Sequence, residues 1–224
     1  MENLWKQFAG ICAIPHPSGH LDAIREHIKS VAKLNGLMPE VDEIGNVLVR
    51  IPATPGKENV DGVILEAHMD MVPQCNSDKK HDFTKDPIKT HLVKKGENAE
   101  YPDAELVMAE GTTLGADNGI GCASMLTLMG DKSVAHGPVE CLFTVDEETG
   151  MSGVNNLREG WLKGKYLFNL DTEAEGELMI GCAGGVNMDA FFKYKKDEKI
   201  PEGDVAIQLK LSGLLGGHSG MDIH

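Results

Sequence analysis

The chain has 224 residues, of which 41% are apolar and 25% charged, and 35 acidic against 21 basic residues leave a net charge of −14. That composition excludes a disordered chain, and no run of 18 apolar residues offers a membrane span. The negative balance repels nucleic acid and anionic membrane surfaces, so neither is an expected partner.

The N-terminal stretch MENLWKQFAGICAIP lacks the basic start, long apolar centre and small-residue cleavage site of a secretory signal, which predicts a cytoplasmic location. Residues 18–34, SGHLDAIREHIKSVAKL, place Leu21, Ile24, Ile28 and Val31 on one helical face, with Ser18 as the expected N-cap and Gly36 just past the end. GNVLVRI (45–51) reads as a strand and VILEA (63–67) as a more deeply buried one. Residues 75–110 are charged and interrupted by Pro87 and Pro102, so they read as a surface excursion holding a hairpin. GIGCASMLTLM (119–129) is apolar almost all round and predicts a buried helix. VECLFTV (139–145) and YLFNL (166–170) read as short buried strands, with a helix or turn between Gly153 and Trp161.

Strands alternating with helices predict an α/β fold, a mixed and largely parallel sheet with helices on both faces. Near residue 185 the pattern changes: NMDAFFKYKK and DVAIQLKLS alternate like two strands, followed by GLLGGHSG. Residues 1–185 are therefore expected to form one domain and 186–224 the beginning of a smaller α+β domain. About 40 residues is too little for an independent core, so the sequence is read as part of a longer protein. The five cysteines, at 12, 75, 122, 141 and 182, include no C-x-x-C pair and read as thiols of a reducing compartment.

Four polar clusters follow the buried elements: His68 and Asp70, Asp117 ahead of the apolar helix, Asp146-Glu147-Glu148, and Asp171. Each has an ordinary explanation alone: a local hydrogen bond, a helix N-cap, an acidic turn, a solvated loop. Ligands of open α/β sheets, however, bind outside the carboxyl ends of the strands, where all four clusters are expected. Strand periodicity sends His68 and Asp70 to the same side, so Asp70 is expected to hold one ring nitrogen while the other binds a cation. Carboxylates brought together repel one another, and a divalent cation relieves that repulsion. One imidazole with several carboxylates and no thiolate suits zinc, manganese or cobalt. Of the adjacent acids Glu147 and Glu148, one is expected to take a proton and the other to bind the ion.

The segments HMDMVPQ, EGTTLGADNGIG, VDEETGMSG, NLDTE and GGHSG, in this order and spacing, resemble the dinuclear-metal peptidases related to carboxypeptidase G2 and peptidase T, and among them the bacterial aminoacyl-histidine dipeptidases. The resemblance runs over essentially the whole chain, with IPHPSGH also fitting. It implies two divalent metal ions, most readily zinc. His68, Asp117 and Asp171 would hold one, and Asp117 would bridge to a second that Glu148 also binds. It further implies Glu147 as general base, Asp70 orienting His68, and His218 of the GGHSG segment reaching an active site from a lid domain to stabilise the oxyanion. The family's remaining ligand to the second metal, a histidine near the C-terminus, has no counterpart here, and His224 does not match it. The implied activity is hydrolysis of dipeptides, Xaa-His or broader, by a homodimeric enzyme; this chain alone would be inactive or nearly so. An aminoacylase, deacetylase or tripeptidase of the same architecture is the nearest alternative, and a metal-free scaffold a more distant one. A phosphate-binding reading of GADNGIG fails because the P-loop lysine is missing.

Overall fold

The computed structural model describes residues 2–172, 174, 176–181, 188, 190–193, 202–205 and 207–210. The chain divides into two compact units, residues 1–173 and 174–224. The boundary expected near 185 falls outside the described residues.

The first unit begins with two helices, α1 (Glu2–Cys12) and α2 (Asp22–Leu34). Strands β1 (Pro39–Val41) and β2 (Val47–Ile51) follow, then β3 (Val63–His68). The charged excursion contributes a separate antiparallel hairpin, β4 (Thr90–Val93) with β5 (Leu106–Ala109), as its composition predicts. Then come α3 (Ala116–Gly130), β6 (Val139–Thr144), a 3₁₀ turn at Glu147–Thr149, the short α4 (Ser152–Asn155) and β7 (Tyr166–Asn169).

Five strands form one mixed sheet in the order β1-β2-β6-β3-β7. β3 runs parallel to both β6 and β7, whereas β1 pairs antiparallel with β2 and β2 with β6. The parallel character is thus confined to one side of the sheet. The five residues between β1 and β2 permit a hairpin but no crossover, and a parallel pair needs a crossover of a dozen residues or more.

Side-chain alternation sorts the core. Val47, Val49 and Ile51 of β2, Ala67 of β3, and Val139, Cys141 and Phe143 of β6 meet Phe8 and Ile11 of α1, Ile24 and Ile28 of α2, and Leu126 and Met129 of α3. On the other face Leu48, Ile64 and Leu142 pack with Trp161, flanked by Leu157 and Leu162. That smaller cluster is closed by a polar network around Arg50. Its guanidinium donates to Glu140 Oε1 (2.8 Å) and to the Trp161 carbonyl (2.7 Å), while Glu140 Oε2 accepts from the backbone N–H groups of Lys163 and Gly164.

β7 departs from expectation. It is the sheet edge, and Tyr166, Leu167 and Phe168 are 49%, 52% and 43% exposed, because no described element packs on them. In the second unit the strands expected at 187–196 and 204–212 are not seen at their described residues, and the rest of each lies outside them. Phe191, Phe192 and Ile207 are exposed, and a two-stranded ribbon without a covered face is marginal. Cys12, Cys122 and Cys141 are buried free thiols and Cys75 is exposed. Among the described residues no helix is long and apolar enough to cross a membrane.

The contrast between core and edge yields a measurable difference. Phe143→Ala is expected to lower the unfolding free energy by about 3–5 kcal/mol, and Leu167→Ala by less than about 0.5 kcal/mol. Urea titration of the two variants checks this, and equal losses would contradict the assignment of the core.

Candidate metal centre

The parallel registers place His68 beside Thr144, and Glu66 beside both Leu142 and Asn169. The three strand ends therefore lie side by side, and the residues that follow them emerge at one edge. Helix α3 brings a fourth group. It lies so close to β3 that a Cβ on Gly121 would stand 2.9 Å from the Ala67 Cβ, and this close approach requires glycine. Ahead of it, Gly115 in the left-handed region and non-helical backbone at Asp117 and Asn118 break the first turn. Asp117 is therefore not the N-cap that its position suggests; its carboxylate meets His68 instead.

His68 is 2% exposed. Its Nδ1–H donates to the Asp70 carbonyl (2.9 Å), and Nε2 lies 2.9 Å from Asp117 Oδ1 and 3.5 Å from Asp171 Oδ1. Ligand atoms of His68, Asp117 and Glu148 all stand within 4.8 Å of one another. A cleft of about 230 Å³ opens beside Asp117 and Asp171, lined also by Asn118, Ile120 and Leu170.

Electrostatics follow from this crowding. Burial opposes a charge on His68, yet hydrogen bonds to Asp117, Asp171 and Asp70 hold its pKa well above the ordinary histidine value. Burial, the charge on Asp117, and then Glu147 and Asp70 push the Glu148 carboxyl up to about 7. Burial also raises Glu147, helped by the charges of Asp171, Asp117 and Asp70. One imidazole nitrogen and several oxygens in a charge-strained cluster fit a divalent cation: hard oxygen donors with one borderline nitrogen suit zinc, cobalt or manganese, and the ion relieves the repulsion.

Asp70 anchors the site from beneath. It is 1% exposed. Its Oδ1 accepts the Glu147 backbone N–H (3.1 Å) and lies 3.4 Å from His68 Nδ1. Its Oδ2 accepts the Glu148 N–H (3.2 Å) and the Ser18 hydroxyl (2.7 Å). Burial pushes the Asp70 carboxyl up, but the bonds from His68 and Ser18 outweigh it and hold the group below the ordinary carboxylate value. The backbone carbonyl is thus the closer partner of His68 Nδ1, with the carboxylate just behind it.

The acid loop is also held from behind. Asn46, fully buried, accepts the Val145 N–H and donates to the Gly153 carbonyl and to Asp42. The loop turns through left-handed Asp146 and Met151, a conformation that persists where surrounding contacts enforce it.

The structure brings six of the seven residues singled out in the sequence to this edge: His68, Asp70, Asp117, Glu147, Glu148 and Asp171. His218, like His224, lies outside the described residues. Two contributors escaped the sequence reading. Ser18 looked like a helix cap, yet α2 starts at Asp22 with Leu21 at its cap and no side-chain cap bond. Glu66 was passed over as part of a buried strand. It accepts from Thr144 Oγ1 and Asn169 Nδ2 (both 2.7 Å), tying β3 to β6 and β7 just beneath the site. An acid inside an apolar strand was the available signal.

Residues 64–210 match the model of peptidase family M20/M25/M40, and the chain belongs to that family. It is 49% identical over 221 residues to the cytosol non-specific dipeptidase of Escherichia coli strain K12, covering 99% of this chain and 43% of that protein. It is 31% identical over 173 residues to a peptidase T of Geobacillus, covering 69% of this chain and 42% of the relative. Among solved structures it resembles an aminoacylhistidine dipeptidase of Vibrio alginolyticus at 50% identity and a TM-score of 0.71, over 78% of this chain and 34% of that one. The chain therefore spans less than half the length of these relatives.

Packing behind the acid loop is tight enough to test. A Cβ on Gly153 would stand 2.5 Å from Asn46 Oδ1 and 2.6–2.7 Å from the Val145 backbone, whereas one on Gly181 would meet nothing within 4 Å. Gly153→Ala is expected to cost about 1–3 kcal/mol, a fall in Tm of roughly 2–12 °C, and Gly181→Ala nearly nothing. Differential scanning calorimetry separates the two, and an unchanged Gly153→Ala would contradict this packing.

Proposed function

We propose that this chain supplies the metal centre of a metal-dependent dipeptidase, cytosolic as the name of its Escherichia coli relative indicates. The observation that carries the reading is the convergence of His68, Asp117 and Glu148 within 4.8 Å at the strand ends, with a second acid, Glu147, beside them. His68, Asp117, Glu148 and Asp171 would contribute ligands to two divalent cations, most readily zinc. Bound there, the cations would acidify a water and polarise the scissile carbonyl.

The chain's own residues do the rest. Asp70, through its carbonyl and carboxylate, keeps a proton on His68 Nδ1, so that Nε2 would be the nitrogen left to ligate a cation. Glu147 accepts the proton of the attacking water and returns it to the leaving amine, and its raised pKa suits a group that both takes and gives a proton. His218 completes the reading as a donor to the oxyanion, carried by a lid. A homodimer formed through that lid belongs to the same proposal. Dipeptides are the substrate class supported by the relatives, and Xaa-His the narrower one.

The intact protein tests this. Dipeptide hydrolysis is expected to disappear on chelation and return with zinc. Glu147→Gln is expected to lose about 10²–10⁴-fold in kcat while keeping its metal, and Asp117→Asn to lose both. Steady-state kinetics with metal analysis of each variant checks the set. Undiminished hydrolysis by the metal-free protein, or by Glu147→Gln, would contradict it.

A further inference from the structure

We propose that Ser18 is a positioning residue for peptide hydrolysis, acting through Asp70 to set where Glu147 and Glu148 stand. The inference rests on the dipeptidase reading above and adds a residue from a segment far in sequence from the strand ends.

The ordinary role for Ser18, capping α2, is ruled out by the geometry: the helix begins four residues later, and its cap makes no side-chain bond. The hydroxyl instead donates to Asp70 Oδ2 at 2.7 Å, across 52 residues of sequence. The next residue reaches the same loop by a second route, since the Gly19 N–H donates to Asp146 Oδ1 at 2.8 Å. Gly19 adopts φ +79°, which glycine takes without strain, so its amide turns toward the acid loop while Ser18 faces Asp70. A bridge between Pro17 and Met71, with the Met71 N–H donating to the His16 carbonyl (3.3 Å), joins the turn to the chain just after Asp70.

Asp70 is where these contacts act on the chemistry. A carboxylate has about four acceptor positions and rotates about its Cβ–Cγ bond unless its partners fix it. Here Oδ2 takes both the Ser18 hydroxyl and the Glu148 amide, and Oδ1 takes the Glu147 amide and faces His68. The two loop amides are the longer bonds, at 3.1 and 3.2 Å, and the Ser18 bond is the shortest. Removing the hydroxyl frees the plate on which the acid loop rests, and the carboxylate of Glu147 shifts relative to the substrate. Displacements of about 1 Å in catalytic geometry cost on the order of 10²-fold in rate.

The test uses the intact, zinc-loaded protein with a dipeptide substrate. Ser18→Ala is expected to lower kcat by about 10- to 100-fold with KM within about twofold and zinc content unchanged, and Ser18→Thr, which keeps the hydroxyl, to restore kcat to within about threefold. A stabilising role alone would lower Tm in Ser18→Ala without a fall in kcat per zinc-loaded molecule. Three outcomes overturn the proposal: wild-type kcat in Ser18→Ala, a loss confined to KM, or a folded Ser18→Thr that is as slow as Ser18→Ala. If Ser18→Ala does not fold, Ser18→Thr decides alone, with wild-type kcat supporting the proposal and a tenfold loss in the folded variant overturning it. Wild-type protein inactive on every dipeptide with zinc bound would instead overturn the dipeptidase reading.

Discussion

A carboxylate cut off from water must be surrounded by donors, and the site is organised around that demand at Asp70. With 1% of its surface exposed, this side chain stands where an unpaired charge would cost several kcal/mol. It collects a serine hydroxyl from the turn before α2, two backbone amides from the loop after β6, and the Nδ1 edge of an imidazole at the end of β3. Three segments remote in sequence are thereby fixed to one another by the requirement that a single buried charge be satisfied. The geometry of Glu147 and Glu148 is a consequence of it.

Above that anchor the logic reverses. Around His68 the chain gathers negative charge: the charges of Asp171 and Asp117 raise Glu147, and those of Asp117 and Glu147 raise Glu148. Protonation of His68 and Glu148 relieves part of the repulsion within the chain itself. A divalent cation would relieve it further, with Nε2 free to become a ligand. The apolar scaffold exists to hold this arrangement: the glycine-bearing face of α3 against β3 brings Asp117 to His68, and buried Asn46 braces the acid loop.

How far the sequence reveals this depends on the range of the contact. Residues at the ends of short apolar strands are legible, because parallel pairing in an α/β sheet aligns those ends; hence His68, Asp70, Glu148 and Asp171 could be named without coordinates. Asp117 was legible as polar punctuation, but a helix cap explains the same letters, and only the irregular backbone at 117–118 separates the two. Ser18 was misread because a serine before an amphipathic run is a cap by default, and its partner is 52 residues away. Glu66 was hidden because hydrophobic patterning averages over one acid in a strand. The exposure of β7 was not legible either, since an edge strand and a central one share the same apolar letters.

Membership of peptidase family M20/M25/M40 agrees with this construction. The central claim is that these side chains converge to bind a cation, and anomalous X-ray scattering from crystals of the zinc-loaded intact protein tests it most directly. The account predicts a zinc peak about 2.0–2.2 Å from His68 Nε2 and from carboxylate oxygens of Asp117, with Glu148 or Asp171 completing the shell. Zinc bound elsewhere, with His68 still hydrogen-bonded to Asp117 and no peak between them, would contradict it.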